Sequence, residues 1–344
     1  MYDVEILLLI HYSDRYSKRL EMFKRFGLHQ LGSNRIHITL AASPGDSERA
    51  AEILSGWPVS IHVSLLEFAS REPLPKVTEY YFWLLESQLK ARWFLRIDDD
   101  SWTDLSAMVR YADTRYGDVP VHIMTPPVQH DRHMVEVITE LDLRIPSLHE
   151  HESSLTSARA LRLLARNDKA LHFLNYVTER YTYPGDLPLA WAMHICDVPT
   201  AIFEGSTKHF ERTQMSLIGG RFFHIHFVSW EDGNFTTMLG DFLNGSIEPL
   251  LTDDAKALSG RTISFGRCVG QLLNTFRFDP DGTTSGDHNA NEAYWSLLDN
   301  SLVLTSADKS KKTIFSRVLR NAGREWILGQ FTAETTMHFI RVED

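Results

Sequence analysis

Three consecutive aspartates, Asp98, Asp99 and Asp100, follow a short apolar run in the stretch ARWFLRIDDDSWTDL. Ionised carboxylates this close repel one another, and a cation or several hydrogen-bond donors between them relieves the repulsion. On an extended strand, Asp98 and Asp100 point to one side and Asp99 to the other. Carboxylate oxygens are ligands that a hard divalent cation prefers. This aspartate triplet therefore predicts a metal or phosphate site.

The same stretch has a second interpretation as the start of a helix. Asp, Ser and Thr are preferred at helix N-caps, and the helical segment LSAMVRYADTRY follows directly. Capping accounts for one or two of these polar residues, but not for three carboxylates directly behind a buried strand. We expect metal or phosphate binding, with capping as the alternative.

Two later motifs supply further polar groups. Asp186 follows Gly185 and precedes a helical stretch from about 187 to 196, so it is either the N-cap of that helix or a catalytic carboxylate. His224 and His226 in HIHFVSW face the same side of a predicted strand and could share a cation. The alternative is a half-buried histidine that is bonded to backbone groups.

The elements that position these motifs alternate between strands and helices. The runs VEILLLI, RIHITLAAS, VSIHVSLLEF, RWFLRI and PTAIF predict strands, whereas KVTEYYFWLLESQLK has apolar residues at helical spacing. A further helix is expected over about residues 15–26. This order predicts an α/β fold, a Rossmann-type, mainly parallel sheet flanked by helices. Ligands of such sheets bind beyond the carboxyl ends of the strands, where the aspartate triplet lies.

The pattern changes beyond about residue 246. A polar connection precedes short alternating strands, which are separated by turn signals such as DPDGTTSGD, LDNS and NAGRE. We predict a first domain over residues 1–245, a linker over 246–260 and a small antiparallel β-domain over 261–344, built as a sandwich or a partial barrel. Its Trp295 and Trp326 are expected in the core, with a carbohydrate-binding or assembly module as the alternative.

Composition narrows the class of protein. A chain of 344 residues with 43% hydrophobic content can bury substantial cores. Its formal charge of −10 argues against a nucleic-acid partner. Cys196 and Cys268 form no CxxC pair, so no disulfide framework or cysteine zinc site is indicated. With no transmembrane run or leader pattern, we expect a cytoplasmic protein, and peripheral membrane association stays open.

The stretch LRIDDDSWTDL resembles the DXD segment of GT-A glycosyltransferases, which use nucleotide sugars. It is especially similar to the β-1,3-glycosyltransferases related to fringe, which have a basic residue just before the triplet, here Arg96. In that family the aspartates hold a manganese ion that bridges the donor diphosphate. The resemblance implies Mn²⁺ (or Mg²⁺) on Asp98 and Asp100, with a late histidine as a further ligand. His226 is favoured slightly over His224.

The resemblance covers roughly residues 1–245 and also implies a reaction. A sugar moves from a nucleotide-diphosphate donor, for which a UDP-sugar is favoured, to a hydroxyl of a glycan or other acceptor. The reaction is expected to invert the anomeric centre and to serve polysaccharide biosynthesis. Asp186 matches the base that takes the acceptor proton, and Glu204 and Glu211 are the next candidates. The nucleotide is expected over the end of the first strand. The donor-binding residues are predicted to be Tyr12, Ser13, Arg15, Arg96, Asp98 and Asp99.

Three other functions stay open. A phosphatase of the haloacid dehalogenase type needs DxDx[TV] near the first strand, but Trp102 stands two residues beyond Asp100. A metal-dependent hydrolase normally has more clustered ligands than the HIH motif offers. A non-catalytic carbohydrate-binding protein would keep its affinity for the sugar when Asp186 is replaced and when the metal is removed.

Overall fold

The computed structural model describes residues 2–9, 23, 28–29, 35–42, 55, 61–67, 73–86, 91–99, 101–124, 153–180, 186–203, 206–207, 224–225, 233–268, 271–333 and 336–343. The chain divides into two compact units. The first comprises Met1–Lys208 and Phe222–His226, and the second comprises His209–Arg221 and Phe227–Asp344. None of the described helices combines the length and hydropathy that a membrane span requires.

The first unit contains both strands and helices, as the sequence predicts, whereas the helix expected over residues 15–26 lies outside the described residues except for residue 23. Its strands are β1 (Tyr2–Leu9), β2 (Leu28–His29), β3 (Ile36–Ala42), β4 (Ile61–Glu67), β5 (Ala91–Asp98), β6 (Trp102–Asp104), β7 (His122–Met124), β8 (Ser154–Ser157), β9 (Thr200–Ile202), β10 (Ser206–Thr207) and β11 (His224–Ile225). Its helices are α1 (Pro73–Glu86), α2 (Leu105–Tyr116), α3 (Ala158–Leu164), α4 (Asp168–Arg180) and α5 (Asp186–Ile195).

A mainly parallel sheet forms the centre of the first unit. Among the described residues its order is β4-β3-β1-β5-β8-β7-β9. β1 pairs in parallel with β3 and β5, and β3 with β4, which agrees with the predicted mainly parallel sheet. β8 differs, since it runs antiparallel to both β5 and β7. Its sequence SLTS is short and polar although all four residues are buried, so no apolar pattern marks it as a strand.

Helices cover both faces of this sheet. On one face α1, α4 and α5 pack through Tyr80, Phe173 and Trp191, and on the other α2 packs through Leu105 and Met108. Each such side chain contributes about 1.5–3 kcal/mol when it is fully buried. The strand ends are therefore anchored by a core on each side. A small second sheet in the same unit has the order β10-β11-β6-β2.

The second unit is mostly antiparallel. It contains α6 (Gly233–Asn244), β12 (Ser246–Pro249), α7 (Thr252–Lys256), β13 (Thr262–Arg267), β14 (Leu272–Phe278), β15 (Thr284–Asp287), β16 (Tyr294–Leu298), β17 (Ser301–Thr305), β18 (Lys312–Asn321), β19 (Arg324–Phe331) and β20 (Met337–Val342). The predicted short strands are present, and the predicted turn LDNS joins β16 to β17. Trp326 lies in the core as expected, being only 1% exposed.

The antiparallel sheet closes on itself. Its order within the described residues is β15-β14-β13-β20-β19-β18-β17-β16, so β15 and β16 are its two end strands. A bridge joins Thr283 to Tyr294, and the Trp295 amide donates to the Gly282 carbonyl over 2.9 Å. The two ends are therefore hydrogen-bonded to each other. Such closure satisfies backbone groups that an open edge would leave exposed.

The predicted domain boundary needs correction. Residues 246–260 were expected to be a linker, but β12 pairs with β18 in the antiparallel sheet. Leu250, Ala255 and Leu258 are buried in the core of the same unit. α6 also belongs to the second unit, although it falls within the predicted first domain of 1–245. The polar composition of this segment concealed the few apolar residues that anchor it.

A buried carboxylate holds α6 against the β18–β19 hairpin. Asp241 on α6 is completely buried. It accepts hydrogen bonds from Arg324 Nε at 2.7 Å, from Trp326 Nε1 at 2.8 Å and from Asn321 Nδ2 at 2.9 Å. A buried charge is tolerated when it is paired and hydrogen-bonded in this way. Asp241 therefore ties the helix to one specific position on the hairpin.

Candidate active site

The aspartate triplet lies at the carboxyl end of a central strand, as predicted. β5 ends at Asp98, and Asp99 occupies the turn that follows. Both residues are buried, with 7% and 1% of their surface exposed. The Ser101 amide closes the turn by donating to the Asp98 carbonyl oxygen over 3.1 Å. Asp100 lies outside the described residues.

Arg96 and Asp98 form a buried ion pair. Arg96 Nη2 donates to Asp98 Oδ1 over 3.2 Å, and both side chains are almost completely buried. The two residues share a face of β5 because they are two positions apart. The arginine offsets the charge of a carboxylate whose burial would otherwise be costly. Arg96 was predicted to contact the donor diphosphate; the structure shows its hydrogen bond to Asp98, and the contact with a diphosphate stays a prediction.

The end of β1 lies beside this ion pair. In the parallel register, Leu9 is opposite Asp98. The residues that follow β1 therefore leave the sheet close to the aspartates, which is the arrangement expected for a ligand at this edge. The predicted nucleotide-binding residues Tyr12, Ser13 and Arg15 lie outside the described residues, so their roles stay predictions.

Capping of the helix after the triplet is performed by Asp104. Its Oδ1 accepts a hydrogen bond from the Ala107 amide over 2.9 Å at the start of α2. This is the usual interaction of an N-cap carboxylate. The interpretation of DDDSWTDL as the start of a helix therefore applies to Asp104, which is the N-cap. The Asp98 carboxylate is bonded to Arg96 instead, so capping does not account for it.

The HIH motif lies beside the segment that follows the triplet. β11 pairs antiparallel with β6, which places His224 opposite Thr103 and Ile225 opposite Trp102. Residues paired in this way have Cα atoms roughly 4.5–5.5 Å apart. The fold therefore brings together two motifs that are more than a hundred residues apart in sequence. The side chain of His224 and the whole of His226 lie outside the described part of the chain.

Asp186 begins α5, which confirms the predicted helix. Trp191, on the same helix, is completely buried, so the helix is firmly anchored in the first unit. The Asp186 side chain is not among the described groups, and its role as a base stays a prediction. Glu204 and Glu211 also lie outside the described residues.

The predicted metal ligands are only partly described. Within the residues whose side chains are described, no three His, Cys, Asp or Glu groups converge on one point. Asp98 is the one predicted ligand in that set. Two carboxylates with a histidine would be a donor set that suits Mn²⁺. The buried position of Asp98 at the strand end fits such a site, because a cation there would offset its charge.

Sequence reasoning missed two features of this region. The Arg96–Asp98 pair was not foreseen, although an arginine and an aspartate two positions apart on a strand signal a shared face. The strand formed by residues 102–104 was assigned to a helix entry.

Cys196 and Cys268 are both free thiols.

The first unit is a mixed α/β domain with a predominantly parallel sheet and polar residues at its carboxyl edge. Among solved structures, the chain is similar to the apo form of mouse xyloside xylosyltransferase 1. The similarity has a TM-score of 0.41 with 11% sequence identity, and it covers 65% of this chain and 97% of that chain. No family model matches the sequence, and no curated protein matches it.

Proposed function

We propose that this chain is a metal-dependent glycosyltransferase that moves a sugar from a UDP-sugar to a hydroxyl of a glycan or similar acceptor. The observation that carries the proposal is the pairing of β6 with β11, which brings His224 beside the segment that follows the aspartates. Carboxylates and imidazoles at the carboxyl end of a parallel sheet suit a diphosphate that is held through a divalent cation.

The metal site is proposed to use Asp98, Asp100 and His226, with His224 as the alternative histidine. A bound Mn²⁺ or Mg²⁺ would stabilise the negative charge that develops on the departing diphosphate. Arg96 is already oriented towards Asp98 by their hydrogen bond. With a cation held by Asp98, Arg96 would be placed to donate a charge-assisted hydrogen bond to a phosphate oxygen.

The nucleotide is proposed to lie over the end of β1. Tyr12, Ser13 and Arg15 follow that strand, and Leu9 is in register with Asp98. A tyrosine there can stack on the base, while the serine and arginine can bind the ribose or a phosphate. Asp99, which is buried in the turn after β5, would hold the shape of that turn or contact the nucleotide.

Asp186 is proposed as the general base. A sugar hydroxyl is too weakly acidic to attack unaided at neutral pH, so a carboxylate within hydrogen-bond reach takes its proton as the new bond forms. Its place at the first residue of α5 would give the carboxylate a fixed backbone position. Attack from the side opposite the leaving diphosphate would invert the anomeric centre.

A panel of nucleotide sugars tests the class of reaction. The full chain is incubated with UDP-, GDP- and CMP-sugars and candidate glycan acceptors, with Mn²⁺ or with EDTA, and released nucleotide is measured. We expect release from a UDP-sugar with Mn²⁺ and little release with EDTA. Release that is equal in EDTA would contradict metal dependence, and metal-dependent UDP binding without any release would indicate a non-catalytic carbohydrate-binding protein.

A further inference from the structure

A second group of polar side chains lies inside the parallel sheet of the first unit. Glu5 on β1 is 4% exposed, and His37 on β3 is in register with it. Ser64 on β4 is in register with Thr39, two residues beyond His37. Three adjacent strands therefore place a carboxylate, an imidazole and a hydroxyl side by side on one face of the sheet.

The imidazole of His37 bridges the other two groups. Its Nδ1 lies 2.6 Å from Glu5 Oε2, and its Nε2 lies 2.8 Å from Ser64 Oγ. Each ring nitrogen thus has one hydrogen-bond partner, and the partners lie on opposite sides of the ring. This is the order of contacts by which a histidine activates a serine nucleophile in acyl transfer.

Further hydrogen bonds hold Glu5 beside the imidazole of His37. Glu5 Oε1 accepts from the Thr39 hydroxyl over 2.7 Å and from the Tyr80 hydroxyl over 3.4 Å. Burial and the charge of Glu5 raise the pKa of Tyr80, which keeps that phenol protonated as a donor. Glu5 Oε2 accepts a hydrogen bond from His37 in the tautomer that carries its hydrogen on Nδ1. In that tautomer the lone pair of Nε2 accepts a hydrogen bond from the Ser64 hydroxyl.

The environment leaves the serine within reach of a small substrate. Ser64 is partly exposed, and β4 is an end strand of the sheet in the described part of the first unit. The ring of Tyr2 stacks on His37 with centroids 5.2 Å apart, which forms an apolar wall beside the imidazole.

This group is separate from the proposed donor site. Glu5 and Leu9 are both on β1, and Leu9 is the residue opposite Asp98. Four residues at about 3.3 Å each place the two sites roughly 13 Å apart along the sheet. A chemical role for Ser64 is therefore independent of the nucleotide chemistry proposed above.

We propose that Ser64 is a nucleophile, activated by His37 and Glu5, that accepts the acyl group of a small carboxylic ester. Ser64 Oγ attacks the carbonyl carbon while its proton passes to His37 Nε2. The bond from that carbon to the ester oxygen then breaks, and the departing alkoxide takes the proton from Nε2. Water attacks the acyl-serine by the same proton relay, which releases the acid and restores Ser64.

Covalent labelling of the full chain tests this assignment. A fluorophosphonate transfers its phosphonyl group to an activated serine, fluoride leaves, and the serine proton departs through His37. We expect mass spectrometry to place the adduct on Ser64. The labelling rate, and the hydrolysis of p-nitrophenyl acetate, should fall by about 10²–10⁴-fold in His37→Gln, the range expected for losing a general base. Ser64→Ala should abolish both.

The controls distinguish activation of Ser64 by His37 from a purely structural hydrogen bond between the two residues. His62, an exposed histidine two residues before Ser64 on the same strand, provides the matched variant His62→Gln, which should label normally. Failure of the folded wild-type chain to form an adduct at Ser64 overturns the proposal without any variant. Equal labelling of wild type and a folded His37→Gln overturns it as well, because Ser64 would then react without the relay.

Discussion

The guanidinium of Arg96 donates a hydrogen bond to the carboxylate of Asp98 over 3.2 Å, and both side chains are almost completely buried. Removing one member of such a pair is costly because the remaining charge has lost its partner. A cation that binds Asp98 from the open side of the strand end would compensate for that loss. The ion pair therefore gives a way to detect metal binding through stability alone.

Arg96→Met is expected to lower the free energy of unfolding by about 3–5 kcal/mol in the absence of metal. Because a bound ligand stabilises the folded state by mass action, Mn²⁺ should recover part of that loss. The melting temperature of the variant should therefore rise more with Mn²⁺ than that of the wild type. Differential scanning fluorimetry with Mn²⁺ and with EDTA measures both values.

Arg92→Met provides the matched control on the same strand. Arg92 pairs with Asp113 over 3.1 Å, but its side chain is 45% exposed. An exposed pair of this kind contributes about 0–1 kcal/mol. We expect a small change in stability and a Mn²⁺ response equal to that of the wild type. If Arg96→Met shows the same Mn²⁺ response as Arg92→Met, Asp98 is not a metal ligand.

Asp104→Ala separates helix capping from ligand binding. Loss of the bond from the Ala107 amide should lower the free energy of unfolding by about 1 kcal/mol, as measured by chemical denaturation. Binding of nucleotide with Mn²⁺ should stay at the wild-type level, since this carboxylate is already engaged at the start of α2. A loss of nucleotide binding in a stable Asp104→Ala protein would place Asp104 in the ligand site and contradict our division of roles.

Asp186→Asn separates the chemical step from donor binding. Asparagine caps a helix nearly as well as aspartate, so stability should barely change. Donor affinity should also hold, because other residues are proposed to bind the diphosphate. Transfer to the acceptor should fall by about 10²–10⁴-fold, as judged from initial rates at saturating donor. Near-normal turnover would show that Asp186 is not the general base, and Glu204 and Glu211 would then be the next candidates.

Asp241→Asn is expected to destabilise the second unit by about 2–3 kcal/mol, because the asparagine cannot supply the charge that Arg324 and Trp326 bind. Thermal unfolding followed by the fluorescence of buried tryptophan measures this loss. Glu248→Gln is the control, since its pair with Arg320 is largely exposed and should contribute less than about 1 kcal/mol. Equal effects of the two substitutions would contradict the anchoring role of Asp241.

The same carboxylate predicts a dependence of stability on pH. Burial alone raises the pKa of Asp241, but the hydrogen bonds from Arg324, Trp326 and Asn321 outweigh it and leave the pKa below its ordinary value. The unfolded state therefore binds the proton more readily. The stabilisation is complete above the unfolded pKa of about 3.9 and disappears as the pH falls through the folded value. Asp241→Asn should weaken this acid dependence.

Much of the fold is predictable from the sequence because its strands are apolar runs and its turns carry typical residues. β1, β3, β4 and β5 are recognisable in this way, and so is the position of the aspartate triplet. β8 and β12 are not, since the first is a short polar strand and the second lies in a polar segment. Their strand structure depends on neighbours that pair with them, which is a tertiary property.

The polar contacts inside the units were the least predictable. Glu5 lies within the apolar run VEILLLI, and nothing in that run indicates His37 as its partner. Their contact depends on the register of β1 with β3, which one sequence does not reveal. Likewise, Asp241 is recognisable as an acid in a helix, but its bond to Arg324 links positions that are far apart in the chain.

The binding of UDP measured by calorimetry, with and without Mn²⁺, tests the central claim most directly. We expect wild-type protein and Asp104→Ala to bind UDP with Mn²⁺ and far more weakly with EDTA. Asp100→Ala should lose the Mn²⁺-dependent binding and keep its fold, since it removes one of several neighbouring negative charges. If Asp100→Ala binds UDP with the wild-type dependence on Mn²⁺, the aspartate triplet does not hold the metal and the proposed glycosyltransferase site is wrong.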